Sequence, residues 1–343
     1  MSRSPDVVKR WQEPWQGDSS PPFISPLAEE RDMKLVVALG GNAILRRGER
    51  GTAGEQRAHV EYAAAHIAGL VALGHRVAIT HGNGPQVGDI LLRMECAQEI
   101  LPMMPLDICG AESQGLIGYL IQQALENALR NAGVHRRVIT LVTQTVIDPA
   151  DPAFGGPEKP IGPSYTREEA MARTGRPGWV IHEVEPGRFR RVVPSPEPVR
   201  IVEQNSLRIL FDEGFIVVAA GGGGIPVAAD ADGTLRGVEA VIDKDLTASL
   251  MADALDADVL LILTDVPHAS LHHGTPQEAP LGRITAAEAE RYLAEGHFPE
   301  GSMGPKVKAC IRFARSGGKA GIITSLEEAP RALKGLAGTC ITL

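Results

Sequence analysis

The chain has 343 residues, of which 43% are hydrophobic and 22% charged, and a formal net charge of −8. That length can bury one large core or two ordinary ones, and the composition excludes the disordered and fibrous classes. The acidic balance argues against nucleic acid or an anionic membrane as a partner, and no run of 18 apolar residues suggests a membrane span.

The basic residues divide unevenly, with 26 Arg and only eight Lys. A compact ammonium and a broad guanidinium fork do different work, so each retained Lys is a candidate point charge with a target. Cys96, Cys109, Cys310 and Cys340 form no CxxC pair and no metal-ligand spacing. They read as buried thiols of a reducing compartment, the cytoplasm.

Residues 1–32 are polar, carry five Pro and lack an apolar signal-peptide core. They read as an irregular extension, with Trp11 and Trp15 available to pin it to the body or to a second subunit. Lys34–Leu39 is then a short apolar run stopped by Gly40-Gly41, the mark of a buried parallel strand. A helix follows over about Gly54–Leu73, then a strand over Arg76–Thr80 that runs into His81-Gly-Asn-Gly-Pro85 and a further helix. A long helix over about Ala111–Asn131 leads to a strand over Arg137–Val142. Such alternation implies an α/β fold, a mostly parallel open sheet covered by helices on both faces.

The pattern breaks between Pro149 and Pro198, which hold ten of the 25 Pro. Trp179–Val193, turning at Glu185-Pro-Gly187, reads as a β-hairpin, and the whole segment as a small protruding lid subdomain. Alternation resumes with a helix near Val199–Glu213, a strand Phe215–Ala220 running into Gly221–Gly224, a helix Leu246–Ala254 and a strand Val259–Leu263 before Thr264-Asp265. Helices near Ala286–Glu295 and Pro305–Arg315 and strands at Ala320–Thr324 and Thr339–Leu343 complete the chain, both halves sharing one sheet.

Three Gly-rich loops, Gly40-Gly41-Asn42, Gly82-Asn83-Gly84 and Gly221–Gly224, stand at strand ends. In open α/β sheets ligands bind outside the carboxyl ends of the strands, where glycine loops and helix N-termini cradle anions. No G-x-x-x-x-G-K-[ST] is present, and Gly82-x-Gly84-x-x-x-Gly88 is one residue too long for the dinucleotide fingerprint. A P-loop enzyme and a dehydrogenase are both disfavoured.

Lys159 falls in the lid, and Lys244 and Lys306 at helix starts, where the helix dipole disfavours cations. Lysines placed there are aimed at an anion. With the acidic pair Asp243 and Asp245 they suit phosphoryl transfer, which is chiefly positioning and charge neutralisation. Mg2+ carried by nucleotide phosphates, with no metal ligands from the protein, completes the charge balance. His272 and His273 lack further ligands and read as a loop.

Val36–Ile44, Thr80–Gly88, Ser113–Tyr119, Lys159–Pro163, Arg191–Pro196, Gly221–Val227, Glu239–Asp245 and Gly301–Lys306 together resemble carbamate kinases, members of the amino acid kinase superfamily. The resemblance runs from about Met33 to the C-terminus. It implies a three-layer αβα sandwich over 33–343, with a lid at 149–198 and a nucleotide-binding half at 199–343. It also implies a homodimer, and reversible phosphoryl transfer between ATP/ADP and carbamate/carbamoyl phosphate.

Carried over by residue, Lys244 and Lys306 neutralise the transferring group and also contact the nucleotide, Asp245 orients both lysines, and Lys159 reaches carbamate or its phosphate. Gly40, Gly41 and Asn42 hold the phosphoryl group, and Gly82 and Asn83 lie nearer carbamate. Gly222 and Gly223 line the phosphate path, and Thr264 and Asp265 lie along the nucleotide. The run Pro267–Gly274 departs from the family pattern on the nucleotide side. Two other readings stay open: a related kinase for another small carboxylate or phosphonate, and a non-catalytic nucleotide or metabolite sensor.

Overall fold

The computed structural model describes residues 32–46, 48–175 and 179–343. The extension read at 1–32, with Trp11 and Trp15, therefore lies outside the described residues as far as residue 31. Strands of three to six residues, the central ones chiefly apolar, make one eight-stranded sheet: β1 Lys34–Leu39, β2 Arg76–His81, β3 Val138–Thr140, β4 Ile216–Val218, β5 Val259–Thr264, β6 Arg283–Thr285, β7 Ala320–Ser325 and β8 Thr339–Thr342. The spatial order is β6-β8-β7-β5-β1-β2-β4-β3, and every neighbouring pair is parallel except β7–β8. The two halves do share a sheet, but β4 of the second half is inserted between β2 and β3 of the first.

The helices are α1 Ala53–Ala72, α2 Gly84–Ala97, α3 Leu106–Asn131, α4 Arg167–Met171, α5 Gln204–Asp212, α6 Lys244–Ala254, α7 Ala286–Ala294, α8 Met303–Arg315 and α9 Ala329–Leu333. Side chains alternate across the sheet, so one strand feeds two cores. Leu35, Val37 and Leu39 face a core closed by α1, α3 and α9, whereas Val36 and Ala38 face a core closed by α5 to α8. The result is the expected three-layer αβα sandwich. Entry points are set locally: Thr52 and Glu55 form a capping box at α1, and Thr285 and Glu288 another at α7.

Several boundaries differ from the sequence reading. Helix α3 begins at Leu106, five residues before Ala111, because Pro105 already supplies an extended N-cap. The strand expected to reach Val142 stops at Thr140. The chain then starts a second sheet at Gln144–Ile147, which pairs in parallel with Ile225–Ala229 and antiparallel with Pro198–Ile201. Pro198–Ile201 is therefore strand, and α5 starts only at Gln204; ladder pairing overrides the helical pattern read there. Cys96 is exposed and Cys340 half-buried, so only Cys109 and Cys310 are the buried thiols expected. Among the described residues no helix is long and apolar enough to cross a membrane.

Residues 159–193 contain a separate antiparallel sheet, in which Arg188–Val193 lies between Lys159–Tyr165 and Val180–Glu185. The expected hairpin is thus present, and it gains a third strand. This sheet rests on α2, where a Cβ added to Gly88 would stand 2.9 Å from the Gly162 Cα. Arg173 Nε donates to Glu95 Oε1 at 3.0 Å and ties the same segment to α2. Gly88→Ala should therefore lift the small sheet from α2. The expected outcome is faster proteolytic cleavage within 149–198, with a thermal midpoint lowered by only about a few degrees. Cleavage at the wild-type rate would show that this close approach does not hold the sheet down.

Candidate active site

Strands β1, β2, β4 and β5 are parallel neighbours, so the segments that follow them open on one edge of the sheet. Those segments are Gly40-Gly41-Asn42, Gly82-Asn83, Gly221–Gly224 and Asp265. Leu39 pairs with both His81 and Leu263, which brings the first, second and last of them side by side. Gly41–Ala43 forms a single 3-10 turn. A Cβ at Gly82 would lie 3.2 Å from the Gly41 N and 3.6 Å from the Lys244 Cδ, so two loops and a lysine meet at one point.

Helix α6 starts at that point. Asp243 caps it, its Oδ1 accepting from the Asp245 N–H at 2.9 Å. Lys244 Nζ donates to Asp245 Oδ1 at 2.5 Å, and Lys306 Nζ, reaching across from α8, donates to Asp245 Oδ2 at 3.1 Å. Lys159 Nζ, from the small sheet, donates to Asp243 Oδ2 at 2.9 Å. Three lysines from three separate elements thus converge on one helix N-terminus, against two carboxylates. The cluster keeps one excess positive charge.

Burial sets the electrostatics. It lowers the Lys244 ammonium below the ordinary lysine value, with Asp245 opposing and Lys306 reinforcing the shift. Burial also disfavours the charged forms of Lys306 and Asp245, but there the partners win. Asp245, Asp243 and Asp265 hold Lys306 above its ordinary value, and the two ammoniums hold Asp245 well below the carboxylate range. His81, 1% exposed, is pushed down to about 4 by burial, with its bond to the Gly82 carbonyl opposing and Lys244 reinforcing the shift. It is a neutral imidazole at physiological pH.

The third loop is strained and heavily braced. Ala220, Gly222, Gly223 and Gly224 all have positive φ, of 52°, 65°, 91° and 88°. A Cβ at Gly222 would overlap the Asn83 amide, and one at Gly223 would stand 2.5 Å from the Ile242 carbonyl oxygen. Gln114 of α3 clamps the turn: its Nε2 donates to the carbonyls of Thr143 and Gly221 at 3.1 and 3.0 Å, and its Oε1 accepts from the Thr143 N–H at 2.8 Å. The hydroxyls of Thr145 and Thr247 both donate to the Gly223 carbonyl, and that of Thr80 to the Ala220 carbonyl. Sequence reasoning missed these braces. Their one signal was Ser113-Gln114, two adjacent polar residues that lie among the buried positions of α3.

Not every glycine can donate to a ligand. The amides of Gly40, Gly82 and Gly223 are already bonded to the carbonyls of Leu263, Leu39 and Ala220, so these positions contribute space. Among the described residues no backbone carbonyl takes the amides of Gly41 or Gly222. At the β5 end the Thr264 Oγ1 donates to Asp265 Oδ1 at 3.1 Å. The departing loop folds into a short hairpin, Ser270–Leu271 against Ala279–Pro280, and His273 contacts Glu278 there at 2.9 Å. Among the described residues no group of three or more His, Cys, Asp or Glu could hold a metal ion.

A further tie joins the small sheet to α3. Arg191 Nη2 donates to Glu239 Oε2 at 3.3 Å, and Glu239 Oε1 accepts from the Leu106 N–H at 3.3 Å. Glu239 leads directly into Asp243–Asp245, so both junctions bear on the lysine cluster.

Known proteins resemble this chain in sequence and in fold. The profile of the amino acid kinase family matches residues 33–325. Carbamate kinase of Pyrococcus horikoshii is 50% identical over 311 residues, covering 90% of this chain and 99% of its own, and carbamate kinase of Trichomonas vaginalis is 49% identical over the same length and coverage. The structure of carbamate kinase from Giardia lamblia bound to AMP-PNP superposes with a TM-score of 0.85 at 44% identity, over 91% of this chain and 98% of that one.

Gln114→Leu keeps the volume but leaves the buried Thr143 N–H unpaired, while the Thr143 and Gly221 carbonyls keep the Ile225 and Gly224 N–H donors. At about 1–3 kcal/mol for an unsatisfied buried group, the expected loss of unfolding free energy is about 1–3 kcal/mol. Denaturant unfolding measures it; a loss below about 1 kcal/mol would mean that Gln114 does not brace the turn.

Proposed function

The chain belongs to the amino acid kinase family, among its carbamate kinases, and we propose that it transfers a phosphoryl group reversibly between ATP and carbamate, giving ADP and carbamoyl phosphate. The observation that carries this reading is the convergence of Lys159, Lys244 and Lys306 on the Asp243–Asp245 helix start. AMP-PNP in the Giardia lamblia structure supports an adenine nucleotide as the phosphoryl partner.

In the kinase direction a carbamate oxygen attacks the γ-phosphorus and the bond to the ADP oxygen breaks; the reverse reaction retraces these bonds. The nucleophile is a carboxylate oxygen, already deprotonated, so no general base is needed. Neither Asp243 nor Asp245 is free to act as one, since each holds lysine. Negative charge spreads over the phosphoryl oxygens, and Lys244 and Lys306 meet it with fixed positive charge at the α6 N-terminus. Asp245 pins both ammoniums. Gly41 and Asn42 supply amide donors to the phosphoryl group and Gly222 another on the phosphate path, while Gly40, Gly82 and Gly223 let the chain come close. Asn83 lies on the carbamate side, and Thr264 and Asp265 flank the nucleotide.

Mg2+ enters as part of the nucleotide substrate, held by its phosphates. The oxygens of Asp245 are both engaged by ammoniums, and those of Asp243 by Lys159 and an amide. That donor set suits a metal brought by the substrate.

We assign 149–198 as a lid that carries Lys159 to the substrate, and 199–343 as the half that holds the nucleotide. The exposed thiol of Cys96 suits the cytoplasm. The protein is a homodimer in this reading. Ile108, Leu116 and Tyr119 lie on one exposed stripe of α3, and Ile100 and Leu101 shortly before that helix are exposed too, an apolar face that a second copy would cover.

Four measurements check these assignments. ATP should form from ADP and carbamoyl phosphate in a coupled assay, and intact, folded protein without this activity contradicts the reading. Lys244→Ala should lower kcat by about a hundredfold or more. Because burial depresses Lys244, its ammonium is lost at a lower pH than an ordinary lysine, and activity should fall as pH rises through that value. The residual activity of Lys244→Arg should lack this alkaline limb; an unchanged limb assigns it to another group. Tyr119→Glu should convert dimer to monomer in sedimentation, and a monomeric wild type contradicts the proposed interface.

A further inference from the structure

Ser113 has no part in the steps above, and it is hydrogen-bonded to Asn83, which does. Ser113 is fully buried on α3, and its Oγ lies 2.6 Å from the Gly110 carbonyl oxygen. A carbonyl oxygen only accepts, so the hydroxyl proton points at Gly110. Ser113 Oγ is left to accept from Asn83, 2.8 Å away, and the amide atom facing it must be Nδ2. The chemistry of the chain Asn83–Ser113–Gly110 therefore fixes which way the amide is turned.

The other end of that amide is available. Asn83 is the N-cap of α2, where an Asn side chain ordinarily accepts from an amide in the first turn, yet it makes no capping bond. Its amide lies against Gly222, in the space a Cβ would fill. Nδ2 is committed to Ser113, and no hydrogen bond to Oδ1 is present among the described residues. Oδ1 is an acceptor beside Gly222, on the residue that follows Gly82, where the first two loops and Lys244 meet.

We propose that Ser113 is a positioning residue that locks the Asn83 amide so that Oδ1 accepts from the amino group of the carbamoyl substrate. The pair thereby selects an amino-bearing acyl group over one of the same shape that carries a methyl. A methyl leaves the acceptor unpaired in a desolvated site, and sites built to bond a polar substrate group discriminate strongly against analogues lacking it. The proposal rests on the carbamate reading above.

The test compares ATP formation by the full-length protein from ADP with carbamoyl phosphate and with acetyl phosphate, which replaces –NH2 by –CH3. Wild type should show a high ratio of kcat/KM for carbamoyl over acetyl phosphate. Ser113→Ala should lower that ratio by about tenfold, carried mainly by a higher KM for carbamoyl phosphate. Asn83→Ala removes the acceptor itself and should lower the ratio at least as far, which keeps the test valid if Ser113→Ala folds poorly. An unchanged ratio in both variants, or equal losses with both phosphates, overturns the proposal while leaving the carbamate reading intact. Wild-type protein that makes no ATP from carbamoyl phosphate overturns that reading and this one with it.

Discussion

One carboxylate organises the site. Asp245 is buried at the start of α6 and is held by Lys244 on one oxygen and Lys306 on the other. A buried ionised carboxylate is costly unless paired, and so is each buried ammonium, so the three charges require one another. Their mutual pairing leaves positive charge at a helix N-terminus, where the dipole adds to it. Lysine suits this geometry better than arginine because a point charge can be held on one carboxylate oxygen while still facing a ligand.

The rest of the fold brings anion-binding groups to that carboxylate. Parallel neighbours β1, β2, β4 and β5 place four loops on one edge, and the inserted position of β4 sets Gly221–Gly224 next to Gly82-Asn83. Of the four positive φ values at this turn only that of Ala220 falls on a residue with a Cβ, and the bonds from Gln114, Thr145, Thr247 and Thr80 hold the turn in place. Lys159 comes from a different sheet, 84 residues earlier than its partner Asp243. Its contact depends on the small sheet staying seated on α2, and on the Arg191–Glu239 tie that links that sheet to α3.

Much of this was legible in the chain. Short apolar runs ending in glycine mark buried parallel strands because such strands pack on both faces and need a tight exit. The retention of Lys159, Lys244 and Lys306 in an Arg-rich sequence marked the charges that now meet. Other features depend on distant partners and left no local trace. Val199 and Ile201 fit a helical pattern until the ladder with Thr145–Ile147 claims them. The insertion of β4 between β2 and β3 is a matter of long-range order. The role of Gln114 becomes visible only once Thr143 and Gly221 lie beside it, and the Asp243–Lys159 pair needs the small sheet in place.

The most direct test of this account is the turnover of Asp245→Asn, alone and combined with Lys244→Ala, in ATP formation from ADP and carbamoyl phosphate. If Asp245 works by holding the two lysines, the single change lowers kcat by about a hundredfold or more, and the double variant is little worse than either single, because the groups act as one unit. A near-wild-type kcat for Asp245→Asn, or losses that simply multiply in the double variant, would contradict it.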